Sequence, residues 1–402
     1  MRKVLIFKIL ILFSIFSSCK HSNTKPDITS LVKEYPQIID INKGFDNRKE
    51  LPLSEIASDV EYVKLEFTKN SLIKSINQIY ITDDYVFVLS LGVVLQFDRS
   101  GQFIRQVGTI GRGPQEYIQC LYFSVDEMNN RILIRSLGIN KLLCYSFNGE
   151  YQKSISTIGY ISQFSILSTG EIVCSAQSDP ELWLSPDNFI VLSIDDKGDT
   201  KFLKKSWFYR NFKSTWFSGH NFYSRNDSVY IKEFYRDTIY LYKDHCLIPH
   251  YILLWDKFKE PNIYSFTAFG KQEILDNSAK TFQLRQMLET SNYFYMYYQY
   301  QNKNYLGRFN NKTGEIDFSE EKNRQGCLKN DFDGGMSVNP KFDGGNNKWI
   351  AELSAGDILQ TLTKDFFAIS KAKYPGKKEK LKLLVENVTE NDNPIIMIIS
   401  FK

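Results

Sequence analysis

The chain has 402 residues, a formal net charge of +4, and a composition that is 43% hydrophobic, 15% aromatic and 24% charged. That is apolar enough for a substantial core, which excludes disorder and collagen-like repeats, and the single long apolar run excludes a polytopic membrane protein. The 30 Phe and 24 Tyr favour strands over helices.

The N-terminus opens with Arg2 and Lys3, continues with an apolar stretch from Val4 to Phe16 interrupted by Lys8, and reaches Ser17-Ser18-Cys19. A positive start, a short apolar segment and small residues at its end read as a secretory signal peptide over residues 1–18. Phe16-Ser17-Ser18-Cys19 resembles the lipobox of bacterial lipoproteins, with Phe16 where an aliphatic residue is usual. The resemblance implies that Cys19 is lipidated and becomes the new N-terminus, so residues 19–50 are expected as a tether and lead-in. Acidic residues after the Cys would mark surface export in the bacteria it resembles. Lys20-His21-Ser22-Asn23 has none, so the periplasmic side of the outer membrane is expected.

Loss of Arg2, Lys3 and Lys8 with the leader brings the net charge to +1, which gives no reason to expect nucleic acid as a partner. Five cysteines remain, an odd number without metal spacing, and read as small buried apolar residues.

From residue 51 onward the chain repeats itself. Gln78–Leu89 reads as strand, turn, strand, and Val93–Ile104 as strand, Ser-Gly turn, strand. The same pattern returns at 131–151, 171–199, 228–245 and 292–315. Gly101, Gly149 and Gly198 stand 48 and 49 residues apart at equivalent turns, with His245 in the next such place. A period of about 40–50 residues carrying four short strands predicts β-propeller blades, which bury their faces only by stacking around an axis. Val60–Glu66 and the terminal Asn393–Lys402 are single strands at opposite ends of the domain, and pairing them in one blade closes the ring. The expected fold is therefore all-β, a six-bladed propeller of four-stranded blades over residues 51–402, with seven blades as the alternative. Ser265–Thr290 and Ala351–Lys382 have helical spacing and predict insertions in the last two blades, with Pro375-Gly376 breaking the second.

Gly108-Thr-Ile-Gly-Arg-Gly-Pro-Gln-Glu-Tyr117, Asn330–Gly335 and Glu390–Met397 resemble segments of the six-bladed β-propeller lipoproteins of Bacteroides-like bacteria. Gln115 stands where a glycine is common in that family. The resemblance implies the fold and the envelope location, and supplies no reaction.

Gly108, Gly111 and Gly113 permit close backbone approach, so Arg112, Glu116 and Tyr117 are candidate ligand contacts, against a purely structural connection. The segment lacks the Gly-Lys-Ser/Thr and following helix of a phosphate loop. Trp207, Arg210 and Trp216 form an aromatic and cationic cluster suited to sugar rings or a protein partner. Asp331 and Asp333 are weak calcium candidates, because the full acidic loop is missing and Asp-Gly equally marks a turn. His220, His245 and His250 show no metal spacing, and no cofactor is expected. Asp84, Asp126 and Asp237 are carboxylates that a ring could bring together. The expected function is a non-catalytic module binding a ligand, a glycan by its aromatics, or an envelope protein. The alternatives are a saccharide hydrolase or lyase, marked by convergent acids in a funnel, and a protein scaffold, marked by a flat apolar face.

Overall fold

The computed structural model describes residues 36–157, 161–176, 189–195, 197–205, 220–225, 227–233, 236–256, 282–322 and 326–402. Cys19, Trp207, Arg210 and Trp216 lie outside these residues. Six four-stranded antiparallel blades form one compact unit over Gln37–Lys402. Blade 1 comprises Gln78–Ile81, Tyr85–Ser90, Val93–Asp98 and Phe103–Gln106, and blade 2 comprises Cys120–Asp126, Arg131–Ser136, Lys141–Ser146 and Tyr151–Ser156. Blade 3 follows with Ile161–Ile166, Ile172–Ala176, Phe189–Ile194 and Thr200–Lys205, and blade 4 with His220–Arg225, Ser228–Glu233, Thr238–Lys243 and Cys246–Leu254. Blade 5 is Gln283–Glu289, Tyr293–Tyr300, Lys303–Asn310 and Ile316–Glu320.

Blade 6 is composite. Phe342–Asp343, Lys348–Leu353 and the C-terminal Ile395–Phe401 are completed by Ala57–Lys64, with Ile395 opposite Lys64. The first strand of each blade lies against the first strand of the next, from blade 1 through blade 6 and back to blade 1. These inner strands therefore surround a central axis. The expected six-bladed propeller and its closure by the two chain ends are both present.

Second strands such as Arg131–Ser136 and Ser228–Glu233 are buried along their whole length, because neighbouring blades cover both faces. The core is accordingly divided into slabs. One joins blades 6 and 1, another blades 1 and 2, and the largest spans blades 4, 5 and 6. Cys120 and Cys327 are buried in these slabs, and Cys144 and Cys174 in another between blades 2 and 3, all as free thiols, and Cys246 is half-buried.

Because the strands alternate in direction, the ring has two unlike faces. Inner strands begin on the lower face, which also carries the connections between blades and the turns from second to third strand. They end on the upper face, at the hairpins into the second strands.

The lead-in to the domain is part of the ring from Gln37 onward. Gln37–Asp40 adds a parallel strand to the outer edge of blade 4. Asp40 then caps helix α1 (Ile41–Asp46) by accepting from Lys43 N–H at 3.1 Å. Phe45 of α1 packs among Phe282, Tyr300, Tyr305 and Phe318 of blade 5. A short helix α2 (Leu53–Ile56) leads into the outer strand of blade 6.

One helical insertion is seen between the second and third strands of blade 6, as α3 (Ala355–Thr361), α4 (Lys364–Ile369) and α5 (Pro375–Val385). Pro375 starts α5 instead of breaking a helix, since a first-turn proline gives up no hydrogen bond. The other expected insertion, Ser265–Thr290, differs: Gln283–Glu289 is the inner strand of blade 5, and residues 265–281 lie outside the described set. Its register shifts between Leu284 and Gln286, and that bulge replaces strict alternation with the spacing of Leu284, Met287 and Leu288 that imitates a helix.

Candidate functional site

The upper mouth of the channel holds a recess of about 390 Å³, lined by Tyr80 of blade 1, Ile166 and Leu167 of blade 3, Ser224, Arg225 and Asp227 of blade 4, and Gly345, Asn346 and Asn347 of blade 6. Blades 1 and 3 are not neighbours, so the recess spans the axis. Its volume is within the ~300–1,000 Å³ range of small-molecule sites.

The blade 6 wall depends on an unusual hairpin. Gly345, Asn346 and Asn347 all have left-handed backbone, with φ of 74°, 47° and 62°. A Cβ on Gly345 would come within 2.6 Å of the Tyr80 ring, so only glycine lets the hairpin rest on that ring. Asn tolerates the left-handed region better than other side chains.

Hydrogen bonds stitch the mouth together around the axis. Glu127 of blade 2 accepts from Tyr80 Oη at 3.0 Å and from Asn346 Nδ2 at 2.8 Å, linking blades 1, 2 and 6. Asp227 accepts from Ser168 N–H at 2.7 Å and from its hydroxyl, linking blades 3 and 4. Arg225 donates to the Glu289 carbonyl at 2.7 Å, linking blades 4 and 5. Burial, and then the charge of Glu127, hold the Tyr80 hydroxyl well above its ordinary acidity range. The Asn347 side-chain oxygen is enclosed and has no donor among the described residues. A buried acceptor left so is costly, and a hydroxyl or amide entering the recess would satisfy it.

Below the hairpin, Asp343 ends the short inner strand of blade 6 and accepts from Gly345 N–H at 2.9 Å. Burial pushes its pKa up to about 7, against a smaller lowering by that hydrogen bond. Its charge also reaches Tyr122 of blade 2 and Tyr223 of blade 4, whose hydroxyls are raised first by burial and then by Asp343. Tyrosines from blades 1, 2 and 4 thus feel the charge of one carboxyl.

The chain matches the sequence pattern of a domain of unknown function over residues 36–400. It belongs to the DUF4934 family. A crystal structure of a Bacteroides fragilis protein inferred to be exported (BF0058) is similar to this DUF4934 chain at 17% identity, with a TM-score of 0.71 over 91% of this chain and 99% of that one. A DUF4221 member from Bacteroides vulgatus is similar at 12% identity and a TM-score of 0.52, over 86% of this chain and 97% of its own. No curated protein matches the chain significantly.

The residues singled out from sequence lie elsewhere. The Gly108–Tyr117 connection precedes the inner strand of blade 2 on the lower face, whereas Glu127 follows that strand on the upper face. Glu116 folds back to accept from Gly113 N–H at 2.8 Å. Tyr117 is buried and donates to the Val107 carbonyl at 2.9 Å, while Tyr145 holds the Gln115 carbonyl. Arg112 stands exposed at the tip.

Asp84, Asp126 and Asp237 do not converge. Asp84 is exposed, Asp126 pairs with Arg131 at 2.7 Å, and Asp237 accepts from Trp255 Nε1 at 2.8 Å. Asp331 accepts from both the N–H and the hydroxyl of Ser54, in α2's first turn, and Asp333 turns its Oδ1 to Gly335 N–H. Among the described residues, no three acidic, His or Cys side chains gather as a metal site would require. Sequence reasoning missed Asp343, Asn346 and Asn347. The repeated Asp-Gly-Gly was visible, but only the ring shows that its second copy faces the channel.

Proposed function

We propose that this chain is exported to the cell envelope, anchored there by lipid on Cys19, and binds a small polar ligand, a saccharide, at the upper mouth without turning it over. The observation that carries the reading is the recess itself, with polar groups from blades 1, 4 and 6 and the unsatisfied Asn347 oxygen. Amide and hydroxyl groups next to a guanidinium suit a ligand rich in hydroxyls. The mouth carboxylates Glu127 and Asp227 are already held by protein donors, so they offer no free acid–base pair. Export draws support from the leader and from the fold shared with the B. fragilis protein.

Asp343 favours a second reading, a saccharide hydrolase or lyase, because a carboxyl near 7 at the axis suits proton transfer. Titration calorimetry against mono- and disaccharides, with product analysis of every hit, tests both. Binding should weaken at least ~10-fold in Arg225→Ala and Asn347→Ala, the loss of one buried polar contact or more. No saccharide binding, or binding unchanged in both variants, sinks the reading. Product formation that disappears in Asp343→Asn would establish the enzyme instead. Incorporation of labelled fatty acid, lost in Cys19→Ser, checks the anchor.

A further inference from the structure

Apolar side chains left in water are distributed unevenly over the ring. Among the described residues, seven of the fourteen large exposed apolar side chains belong to the lower face of blades 1 and 2 and the connection into them from blade 6, and three more to the helical insertion, which runs along the outer strand of blade 6. Met128 is the one member of that set on the upper face, and the others, Ile38, Phe202 and Leu254, lie on outer strands.

Leu91, Ile110, Ile118, Leu121 and Leu137 form one patch. Gly92 rests on Gln119, Leu137 N–H donates to the Gln119 carbonyl at 2.9 Å, Ile118 lies beside Gly138, and Ile110 pairs with Tyr117. Phe67 and Leu72 extend the apolar surface along the connection from blade 6 to blade 1. Asn393 ties that connection to the end of the helical insertion, donating to the Glu66 and Ser71 carbonyls at 2.9 and 2.8 Å. The insertion itself exposes Ile369, Tyr374 and Leu383, with Ile369 81% accessible.

Cations accompany this surface. Lys69, Lys74 and Arg112 on the connections, and Lys364, Lys371, Lys373 and Lys380 on the insertion, are exposed and make no ion pair among the described residues. On the connections Glu66 is the one exposed carboxylate against three cations, whereas on the insertion Asp357, Asp365, Glu386 and Glu390 balance the four lysines, and Glu379 and Asp392 are paired with Lys382 and Lys64. An apolar face alone would suit a protein partner. Apolar tips set among unpaired lysines instead match a bilayer whose headgroups are anionic and whose interior is hydrocarbon.

We propose that the lower face of blades 1 and 2, with the connection entering from blade 6, docks the domain on an anionic phospholipid surface. The Leu, Ile and Phe tips enter the boundary between headgroups and acyl chains, and Lys69, Lys74 and Arg112 meet the phosphates. The recess then opens away from the bilayer. This docking depends neither on what the recess binds nor on lipid at Cys19.

Residues 37–402, which carry all six blades, would be floated with vesicles of phosphatidylethanolamine containing about a third phosphatidylglycerol. They should float with these vesicles and not with neutral ones, and binding should fall about tenfold or more between about 0.05 M and 0.5 M salt. Lys69→Glu/Lys74→Glu/Arg112→Glu and, separately, Leu91→Ser/Ile110→Ser/Ile118→Ser should each weaken flotation at least ~10-fold, while Met128→Ser should not. Unchanged melting curves would show that the variants are folded. Failure of the parent protein to float, or flotation that survives both sets of substitutions, overturns the proposal and leaves the apolar face to a protein partner.

Discussion

At the hairpin between third and fourth strands, one backbone position meets two demands. Gly101, Gly149 and Gly198 have φ of 91°, 78° and 95°, and each also lies against the outer strand of the preceding blade. A Cβ on Gly101 would fall 2.1 Å from the Lys64 carbonyl, while one on Gly314 (φ 71°) would meet open space. Gly314→Ala should therefore cost about 1 kcal/mol, the backbone strain alone. Gly101→Ala should cost about 3 kcal/mol or more, because crowding adds to strain. Denaturant midpoints of the two variants measure the difference, and equal losses would mean that the close approach contributes nothing. The spacing of these glycines revealed the repeat, but the contact with the preceding blade was invisible in it. Asp343 shows the same limit: Asp-Gly-Gly announces a turn, and burial among three blades is a property of the ring. Its pKa in the fold lies above the ordinary 3.8, so between about pH 4 and 7 the folded protein holds a proton that the unfolded chain has lost. Its contribution to stability thus falls as pH rises through that window, by at most about 1.4 kcal/mol per pH unit. Asp343→Asn should gain on the parent protein as pH rises from 4 to 7 and keep a constant lead above it. Parallel stability curves for the two would contradict the burial.

At the scale of elements, hydrophobic spacing identified strands well wherever alternation was strict and failed where a bulge disturbed it, as at Leu284–Gln286. The helices of blade 6 were legible because Ile358, Leu362, Phe367 and Leu381 supply a buried side while their neighbours stay in water. Leu381 and Leu383 make the contrast measurable, being 1% and 61% accessible on the same helix. Leu381→Ala should destabilise by about 2–4 kcal/mol, as large-to-small changes in a packed core do. Leu383→Ser should change stability by less than about 0.5 kcal/mol. Thermal or denaturant melts of the pair decide whether α5 is a fixed part of the fold.

For the whole molecule, blade number and closure followed from counting repeats and finding one unpaired strand at each end of the domain. The sidedness of the ring did not. Which residues share the upper mouth, and which crowd the lower face, depends on the circular order of blades and on strand direction. Motif reading therefore favoured Arg112, Glu116 and Tyr117, at the opposite end of the blade 2 inner strand from Glu127. Closure makes a further prediction. A chain ending at Pro394 lacks the strand Ile395–Phe401, which lies between Lys348–Leu353 and Ala57–Lys64. It should lose cooperative unfolding in calorimetry, whereas a chain starting at Gln37 should keep it. A sharp transition in the shortened chain would show that the ring holds without its clasp.

The clasp also imposes a timetable on the protein's manufacture. Ala57–Lys64 is among the first parts of the domain to be synthesised, and its sheet partner Ile395–Phe401 is the last. Blades 1 and 2 can form as they emerge, but the outer strand of blade 6 must wait with an exposed edge until Ile395–Phe401 has been made. The ring is therefore kept from locking prematurely, and its closure certifies that the strand Ile395–Phe401 is in place.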